Sequence, residues 1–327
     1  FTPLHGTGNL PVRTVLREVG FKNVLVVPQQ ELPDPDFSTV TYPNPEEKAA
    51  FQLAIDLGKK EDADIIIGTD PDCDRVGAVV KNNQGEYTIL TGNQTGALLV
   101  EYILSSLKEK NAMPESGAIV KTIVTSEMGA TIAKSYGVHV FNTLTGFKYI
   151  GEKIKEYEET GDKTFIFGYE ESYGYLSGTY ARDKDAVVAS MLICEMAAYY
   201  HSQGMSLYDG LIKLYEKYGY HLEDLKSITL EGREGMKKIE STMEAFRNNP
   251  PLEIGGYQVE TVEDYLKQDA LPKENVLKFL LEKNAWVALR PSGTEPKLKI
   301  YCGVVEDSLE DCKTAVNSLI LSITQKI

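Results

Sequence analysis

The stretch Asp70-Pro-Asp-Cys-Asp-Arg75, here called the acidic loop, places three carboxylates at alternating positions and ends on a guanidinium. It follows Ile65–Ile67, an apolar run of buried-strand character, and α/β proteins commonly place ligands where such strands end. Carboxylate oxygens aimed at one point suit Mg²⁺, and the arginine suits an anion held beside the metal. The pattern predicts a Mg²⁺ site formed by Asp70, Asp72 and Asp74, with a solvated acidic turn as the alternative.

A second polar segment, the Glu-Glu-Ser loop, is Gly168-Tyr-Glu-Glu-Ser-Tyr-Gly174, and it follows the apolar run Phe165–Phe167. Paired carboxylates and a hydroxyl at a strand end suit the binding of several sugar hydroxyls, each of which needs an acceptor. An acidic surface loop is the alternative.

The third segment, the anion loop, is Arg290-Pro-Ser-Gly-Thr-Glu-Pro-Lys297. Its hydroxyls, its two cations and the backbone N–H groups that Gly293 leaves accessible favour phosphate binding, although a plain β-turn also explains Ser-Gly-Thr. Together the three loops indicate phosphoryl chemistry on a sugar phosphate, in which a protein mainly supplies positioning and charge stabilisation.

Composition restricts the classes of partner. The 327 residues suggest two or three domains, and a net charge of −14 argues against a nucleic-acid-binding surface. No apolar run is long enough for a membrane span, and no signal-peptide pattern opens the chain. The four cysteines have no C-x-x-C spacing, so they predict reduced thiols in a cytoplasmic protein.

Strand and helix patterns alternate up to about residue 220, and strands cluster between two helices beyond it. The predicted helices are about Val12–Val19, Asn44 (cap) to Lys60, Thr95–Lys110, Ser126 (cap) to Tyr136, Phe147–Glu159, Lys184–His201, Leu207–Tyr218, Glu234–Asn248 and Ser308–Ile327. The predicted strands are Asn23–Val27, Asp64–Ile67, Val76–Lys81, Glu86–Leu90, Ala118–Thr125, Val138–Asn142, Thr164–Gly168, Lys226–Leu230, Val276–Leu281, Ala285–Leu289 and Lys297–Val304.

This order predicts an α/β fold. Two parallel-rich mixed α/β/α domains, 1–90 and 91–220, precede a smaller α+β domain with an antiparallel sheet, 221–327.

The motifs resemble those of the α-D-phosphohexomutase superfamily, the phosphoglucomutases and phosphomannomutases, over essentially the whole chain. The acidic loop resembles the family's metal loop, more often D-G-D-G-D-R, and Gly168-Tyr-Glu-Glu-Ser172 resembles its G-E-x-S sugar loop with an additional Tyr169. The anion loop resembles the family's phosphate loop, and Thr145-Gly-Phe-Lys148 matches its T-G-x-K segment. The Pro and Cys of the acidic loop look closest to phosphoglucomutases of the branch shared with phosphopentomutases.

The resemblance implies an enzyme with four domains and one active site, whose phosphoserine exchanges phosphoryl groups with the sugar through a bisphosphorylated intermediate. It implies Mg²⁺ as the cofactor and glucose 1-phosphate, glucose 6-phosphate and glucose 1,6-bisphosphate as ligands. The implied metal ligands are Asp70, Asp72 and Asp74; the implied substrate-binding residues are Thr145, Gly146, Glu170, Glu171, Ser172, Arg290, Ser292, Gly293, Thr294 and Lys297; the implied catalytic residues are Arg75, Lys148 and His5. For His5, a turn histidine that only supports its loop is the alternative.

One family feature is missing. No serine in the 327 residues is followed by His-Asn, so the T-A-S-H-N-P segment that carries the phosphoserine is absent. We therefore expect a fragment that lacks the N-terminal phosphoserine domain. We also expect the domain at residues 1–90, the second of the family's four, to be truncated at its N-terminus, and the fragment to be inactive as a mutase by itself. The alternatives are a phosphomannomutase or phosphopentomutase of the same family, a haloacid-dehalogenase-type phosphatase, and a sugar-phosphate-binding module without catalysis.

Overall fold

The computed structural model describes residues 1–293 and 295–327. They divide into two compact units, Phe1–Leu214 and Tyr215–Ile327. In this part of the chain, no helix combines the length and the apolar character needed to cross a membrane.

The α-helices are α1 (Asn9–Glu18), α2 (Gln52–Glu61), α3 (Gly92–Glu109), α4 (Glu127–Ser135), α5 (Phe147–Thr160), α6 (Ala186–Ser202), α7 (Leu207–Tyr218), α8 (Gly232–Asn248) and α9 (Leu309–Thr324). The strands are β1 (Ile65–Thr69), β2 (Val76–Lys81), β3 (Tyr87–Ile89), β4 (Gly117–Thr122), β5 (His139–Thr143), β6 (Thr164–Glu170), β7 (Gly174–Ser177), β8 (Tyr220–Thr229), β9 (Glu253–Ile254), β10 (Tyr257–Asp264), β11 (Leu277–Leu281), β12 (Trp286–Pro291) and β13 (Lys297–Glu306).

The first sheet of the first unit has the order β1-β2-β3, and all its strand pairs are antiparallel. The predicted parallel-rich arrangement therefore does not describe these three strands. The physical reason is the length of the connection, because the acidic loop between β1 and β2 is far too short for a parallel crossover. The parallel element here is an isolated bridge between Thr2 and Gly68.

Two local predictions in this region are wrong. Residues 23–27 form no regular strand. Val27 N–H donates to the carbonyl oxygen of Phe1, but a short apolar run does not by itself supply a strand partner along the whole segment. The helix predicted to start after Asn44 begins later, as a 3₁₀ turn at Lys48–Phe51 that leads into α2. The Asn44 side chain instead accepts from the N–H of Glu46 in a local turn.

The second sheet of the first unit has the order β5-β4-β6-β7. The pairs of β4 with β5 and β6 are parallel, and β7, which the sequence did not indicate, is antiparallel to β6. Helix α5 packs its apolar face on this sheet through Phe147, Ile150 and Ile154. The ends of β4 and β6 thereby place the polar residues that follow them at one edge of a buried sheet.

The second unit has a six-stranded antiparallel sheet of order β8-β13-β12-β11-β10-β9. Helices α8 and α9 contribute buried residues such as Met243, Phe246 and Leu319 to its core. Strand β10 was missed because most of its residues are polar and a register shift between Val259 and Thr261 interrupts the alternation of Tyr257, Val259 and Val262, which pack against the core. The predicted α/β class and the antiparallel C-terminal sheet are confirmed.

Candidate functional site

The acidic loop folds around the carboxylate of Asp70. Asp70 Oδ1 accepts hydrogen bonds from the backbone N–H groups of Asp74, at 3.1 Å, and Arg75, at 3.0 Å. Cys73 has a left-handed φ of 62°, which tightens the turn. One carboxylate oxygen from each of Asp70, Asp72 and Asp74 consequently lies within 4.8 Å of the others.

The close spacing of the carboxyl groups and the burial of Asp70 determine the electrostatics of this loop. Burial raises the pKa of Asp70 to about 7; the hydrogen bond from Arg75 N–H opposes this rise, and the charges of Asp74 and Asp72 add to it. Two cations lie beside the cluster: Lys184 Nζ is 2.8 Å from Asp74 Oδ2, and Arg75 Nε is 3.7 Å from Asp74 Oδ1. Burial alone would lower the pKa of Lys184, but Asp74 outweighs it and raises that pKa.

The residues present fit a Mg²⁺ ion with an anion beside it. All three converging donors are hard carboxylate oxygens, which Mg²⁺ prefers together with water or phosphate oxygens. The Arg75 Nε atom is buried and has no hydrogen-bond partner among the described residues. A buried donor of this kind is suited to an anionic ligand.

The turn that contains His5 supports the acidic loop. Thr7 N–H donates to the carbonyl oxygen of Pro71 at 2.8 Å. His5 itself is buried, with Nδ1 2.9 Å from the carbonyl oxygen of Leu32 and Nε2 2.7 Å from Thr39 Oγ1. Because both ring nitrogens have structural partners, the geometry fits a supporting histidine better than a general acid or base.

The Glu-Glu-Ser loop is joined directly to the acidic loop within the first unit. Arg75 and Gly174 form an antiparallel bridge, and Val76 N–H donates to the carbonyl oxygen of Tyr173 at 3.1 Å. The two loops, which lie about 100 residues apart in the sequence, are therefore held side by side by backbone contacts.

Glu170 is the buried acid of the Glu-Glu-Ser loop, with 6% of its surface exposed. Its Oε1 accepts a hydrogen bond of 2.8 Å from the N–H of Gly146, whose φ of 116° aims that N–H at the loop. Burial raises the pKa of Glu170 to about 7; the charge of Glu171 adds to the rise, and the Gly146 N–H bond opposes it. Thr145 Oγ1 is buried without a hydrogen-bond partner among the described residues, which leaves a hydroxyl for a ligand.

The remaining residues of this region have different environments. Glu171 Oε2 accepts from the hydroxyls of Thr122, at 3.2 Å, and Thr125, at 3.1 Å, so this carboxylate anchors the loop to the end of β4 and the turn after it. Ser172 is half-buried, and Lys148 is exposed in the first turn of α5. Lys148 thus lies two residues beyond the glycine that bonds Glu170.

The anion loop lies in the second unit, where β12 leads into it and β13 out of it. Arg290 Nε donates to Glu274 Oε1 at 2.8 Å, and Lys297 Nζ is 3.0 Å from Glu295 Oε2. Ser292 Oγ accepts from the N–H of Glu295 at 3.3 Å. Both predicted cations are therefore paired with glutamates in this structure.

A cavity of about 350 Å³ lies against the anion loop, and Arg290, Ser292 and Gly293 are among the residues that line it. Among the described residues other than its chain neighbours, no atom lies within 4 Å of a Cβ placed on Gly293, so its backbone is open on that side. Thr294, also predicted to bind substrate, lies outside the described residues.

Three features of the candidate site were not apparent from the sequence. Lys184, which pairs with Asp74, was predicted only as the start of a helix. The sequence signal that could have identified it is its place in Arg182-Asp-Lys-Asp185, a charged run before an apolar helix. Thr122 and Thr125, which bond Glu171, and Glu274, which bonds Arg290, reach their partners only through the tertiary fold.

Comparison with protein families gives matches along the chain. Residues 1–85 match the model described as phosphoglucomutase/phosphomannomutase, alpha/beta/alpha domain II. Residues 91–218 match alpha/beta/alpha domain III, and residues 247–316 match the C-terminal domain of the same family.

Individual relatives agree with these matches. A phosphoglucomutase of Staphylococcus aureus (strain MRSA252) is 39% identical over 334 residues, which cover 98% of this chain and 59% of the relative. The chain thus spans about 59% of the length of that curated relative.

Two solved structures have the same fold. The open form of the phosphoglucomutase pp63/parafusin from Paramecium has a TM-score of 0.71 and 18% identity, and the match covers 100% of this chain and 56% of that one. A phosphoglucomutase/phosphomannomutase family protein from Burkholderia thailandensis has a TM-score of 0.70 and 15% identity, over 99% of this chain and 59% of that one. With the family models matched from domain II through the C-terminal domain, the chain belongs to the phosphoglucomutase/phosphomannomutase family, within the α-D-phosphohexomutase superfamily.

Proposed function

We propose that this chain provides the metal-binding and sugar-phosphate-binding parts of a phosphohexomutase that interconverts sugar 1-phosphates and 6-phosphates, with glucose as the preferred sugar. The observation that carries this proposal is the direct joining of the acidic loop to the Glu-Glu-Ser loop, which places a candidate metal site beside a candidate sugar site. Such an arrangement suits transfer of a phosphoryl group to or from a sugar hydroxyl.

The acidic loop has the metal-binding role in this proposal. Asp70, Asp72 and Asp74 would hold Mg²⁺, which when bound would neutralise charge on the transferring phosphoryl group. Arg75 and Lys184 both lie against Asp74. In this proposal they donate hydrogen bonds and positive charge to the transferring phosphoryl group.

The sugar is bound by the buried end of the Glu-Glu-Ser loop. Glu170 accepts hydrogen bonds from sugar hydroxyls, and Thr145 and Ser172 add hydroxyls beside it. Lys148, exposed at the start of α5, contributes positive charge near the transferred phosphate. Glu171 is anchored by two threonines, so its role is to hold the loop in place.

The anion loop binds the phosphate that is not transferred. Arg290 and Lys297 supply charge, and Ser292, Gly293 and Thr294 supply hydroxyl and backbone donors. Because no serine of the chain is followed by His-Asn, we propose that the chain alone binds Mg²⁺ and sugar phosphate without turning over. A cytoplasmic setting agrees with four cysteines that are all free and buried.

Calorimetric titration of the 327-residue chain tests this proposal. We expect glucose 1-phosphate and glucose 1,6-bisphosphate to bind more tightly with Mg²⁺ than without it, and more tightly than mannose 1-phosphate or ribose 1-phosphate. Absence of binding by every sugar phosphate would contradict the proposed function, and a preference for mannose or ribose would transfer it to a phosphomannomutase or phosphopentomutase. Steady formation of glucose 6-phosphate from glucose 1-phosphate would refute the proposal that the chain lacks turnover.

A further inference from the structure

Arg290 is already oriented by a carboxylate that the proposed chemistry does not use. Its Nε donates to Glu274 Oε1 at 2.8 Å, and the two side chains are only 27% and 26% exposed. Burial alone would lower the pKa of Arg290, but the hydrogen bond and the charge of Glu274 outweigh burial and raise it. This ion pair lines the cavity at the anion loop.

Glu274 is itself held by neighbouring elements of the second unit. Its N–H donates to the carbonyl oxygen of Tyr265 at 3.2 Å. The next residue, Asn275, accepts from Arg247 Nη2 at 2.7 Å, and the Nε of the same arginine donates to Asp264 Oδ2 at 3.1 Å. Glu274 is thereby fixed to the end of β10 and, through Arg247, to α8.

Two opposite effects on a bound anion are possible for such a carboxylate. A negative charge near a phosphate site repels the phosphate, and this effect alone would make Glu274 unfavourable for binding. An arginine side chain, however, is long and flexible, and a partner that fixes its planar guanidinium reduces what must be ordered when the ligand arrives. The short Nε bond and the partly buried position favour the second effect.

We propose that Glu274 is a positioning residue: it holds the guanidinium of Arg290 by Nε in the orientation that binds the phosphate at the anion loop. The inference rests on the proposed function and extends it to a residue outside the three loops. It concerns the orientation of the guanidinium for phosphate binding, so the change that distinguishes it from a purely structural role is a change in affinity measured on folded variants.

The two effects predict changes of opposite sign, and this makes a direct test. Glucose 6-phosphate is titrated calorimetrically into the 327-residue chain. If Glu274 positions Arg290, Glu274→Ala weakens binding roughly tenfold, because a charge-assisted partner of the arginine is lost. Glu274→Gln, which keeps an acceptor for Nε, retains most of the affinity. If Glu274 acts only through its charge, both variants bind more tightly than the wild type.

Glu240 offers a matched control, because it lines the same cavity from α8 while the bond to Arg290 is made by Glu274. Glu240→Ala removes an equal charge, so unchanged or slightly tighter binding is expected. Trp286, on the same strand as Arg290, reports by its fluorescence whether each variant unit is folded. If Glu274→Ala is unfolded by this criterion, Glu274→Gln takes its place in the comparison. Complete loss of glucose 6-phosphate binding by a folded Glu274→Gln variant would also contradict positioning.

A double-mutant comparison separates this inference from the proposed function. In the background of Arg290→Ala, Glu274→Ala is expected to cause no further loss of affinity, because the favourable effect of the glutamate acts through the arginine and only its repulsion of the phosphate remains. An undiminished tenfold loss in that background would refute positioning. If Arg290→Ala leaves the wild-type affinity unchanged, the phosphate-binding role of the anion loop itself fails. If Arg290→Ala weakens binding and Glu274→Ala does not, only the positioning role fails.

Discussion

The charge state of Glu170 should control the pH dependence of the stability of the first unit. Burial, reinforced by the charge of Glu171, raises the pKa of Glu170 from an ordinary 4.5 to about 7. Between these two pH values the folded chain holds a proton that the unfolded chain has lost. The stabilisation by this group is therefore complete below about pH 4.5 and is lost as the pH rises through about 7.

The expected magnitude follows from the same two pKa values. At ~1.4 kcal/mol for each tenfold change, the free energy of unfolding should fall by ~3 kcal/mol across this range because of Glu170. Glu170→Gln is neutral at every pH and keeps an oxygen for the N–H of Gly146. The variant should thus equal the wild type near pH 5 and exceed it in stability near pH 8. Asp70, whose pKa is also raised to about 7, leaves the variant a residual slope.

Urea unfolding at several pH values between 5 and 8, followed by circular dichroism, measures this difference. The single tryptophan, Trp286, lies in the second unit, so its fluorescence follows the unfolding of that unit. Glu152→Gln, at an exposed position of α5, is the control for removing a carboxylate from the first unit. A variant curve parallel to the wild-type curve over the whole range would refute the reasoning.

Three further predictions concern the loops of the first unit and the anion loop. Asp72→Asn should lower the affinity for Mg²⁺ at least tenfold in calorimetry, and unchanged affinity would exclude it as a ligand. Lys184→Met frees Asp74, so it should leave Mg²⁺ binding equal or tighter while weakening the binding of glucose 1,6-bisphosphate; a loss of Mg²⁺ affinity would count against this. Gly92→Ala would place a Cβ against a carbonyl oxygen of the Glu-Glu-Ser loop, so it should lower the free energy of unfolding in urea by ~1–3 kcal/mol. Gly293→Ala, with open space around it, should lower that free energy little. Equal losses of stability in the two variants would contradict the packing argument.

The sequence predicted those parts of the site that depend on local pattern. The acidic loop was found because three alternating aspartates directly follow the apolar strand β1 in the chain. The capping role of Ser126 was equally local, since its side chain accepts a hydrogen bond from the N–H of Met128 within the first turn of α4. In these cases the interaction partners lie within a few residues, so spacing alone identifies them.

Interactions between distant parts of the chain were not predictable in this way. Lys184 follows Asp74 by more than 100 residues, and nothing in its own segment indicates which carboxylate it contacts. The apolar residues 23–27 had the composition of a strand but formed none, because a strand needs a partner whose position no local pattern supplies. For His5, only the positions of Leu32 and Thr39 reveal that both ring nitrogens are used.

The contacts of Asp74 explain how a strongly acidic protein can attract a phosphate. The chain carries a net charge of −14, and the joined loops contain the five carboxyl groups of Asp70, Asp72, Asp74, Glu170 and Glu171. An anion would be repelled there unless positive charge were placed more closely than the negative charge. Asp74 brings two cations to this region, because its Oδ2 lies 2.8 Å from Lys184 Nζ and its Oδ1 lies 3.7 Å from Arg75 Nε. The carboxylates that would repel a phosphate are thus the groups that orient the cations able to bind it, and a metal held by the same aspartates would add to that positive charge.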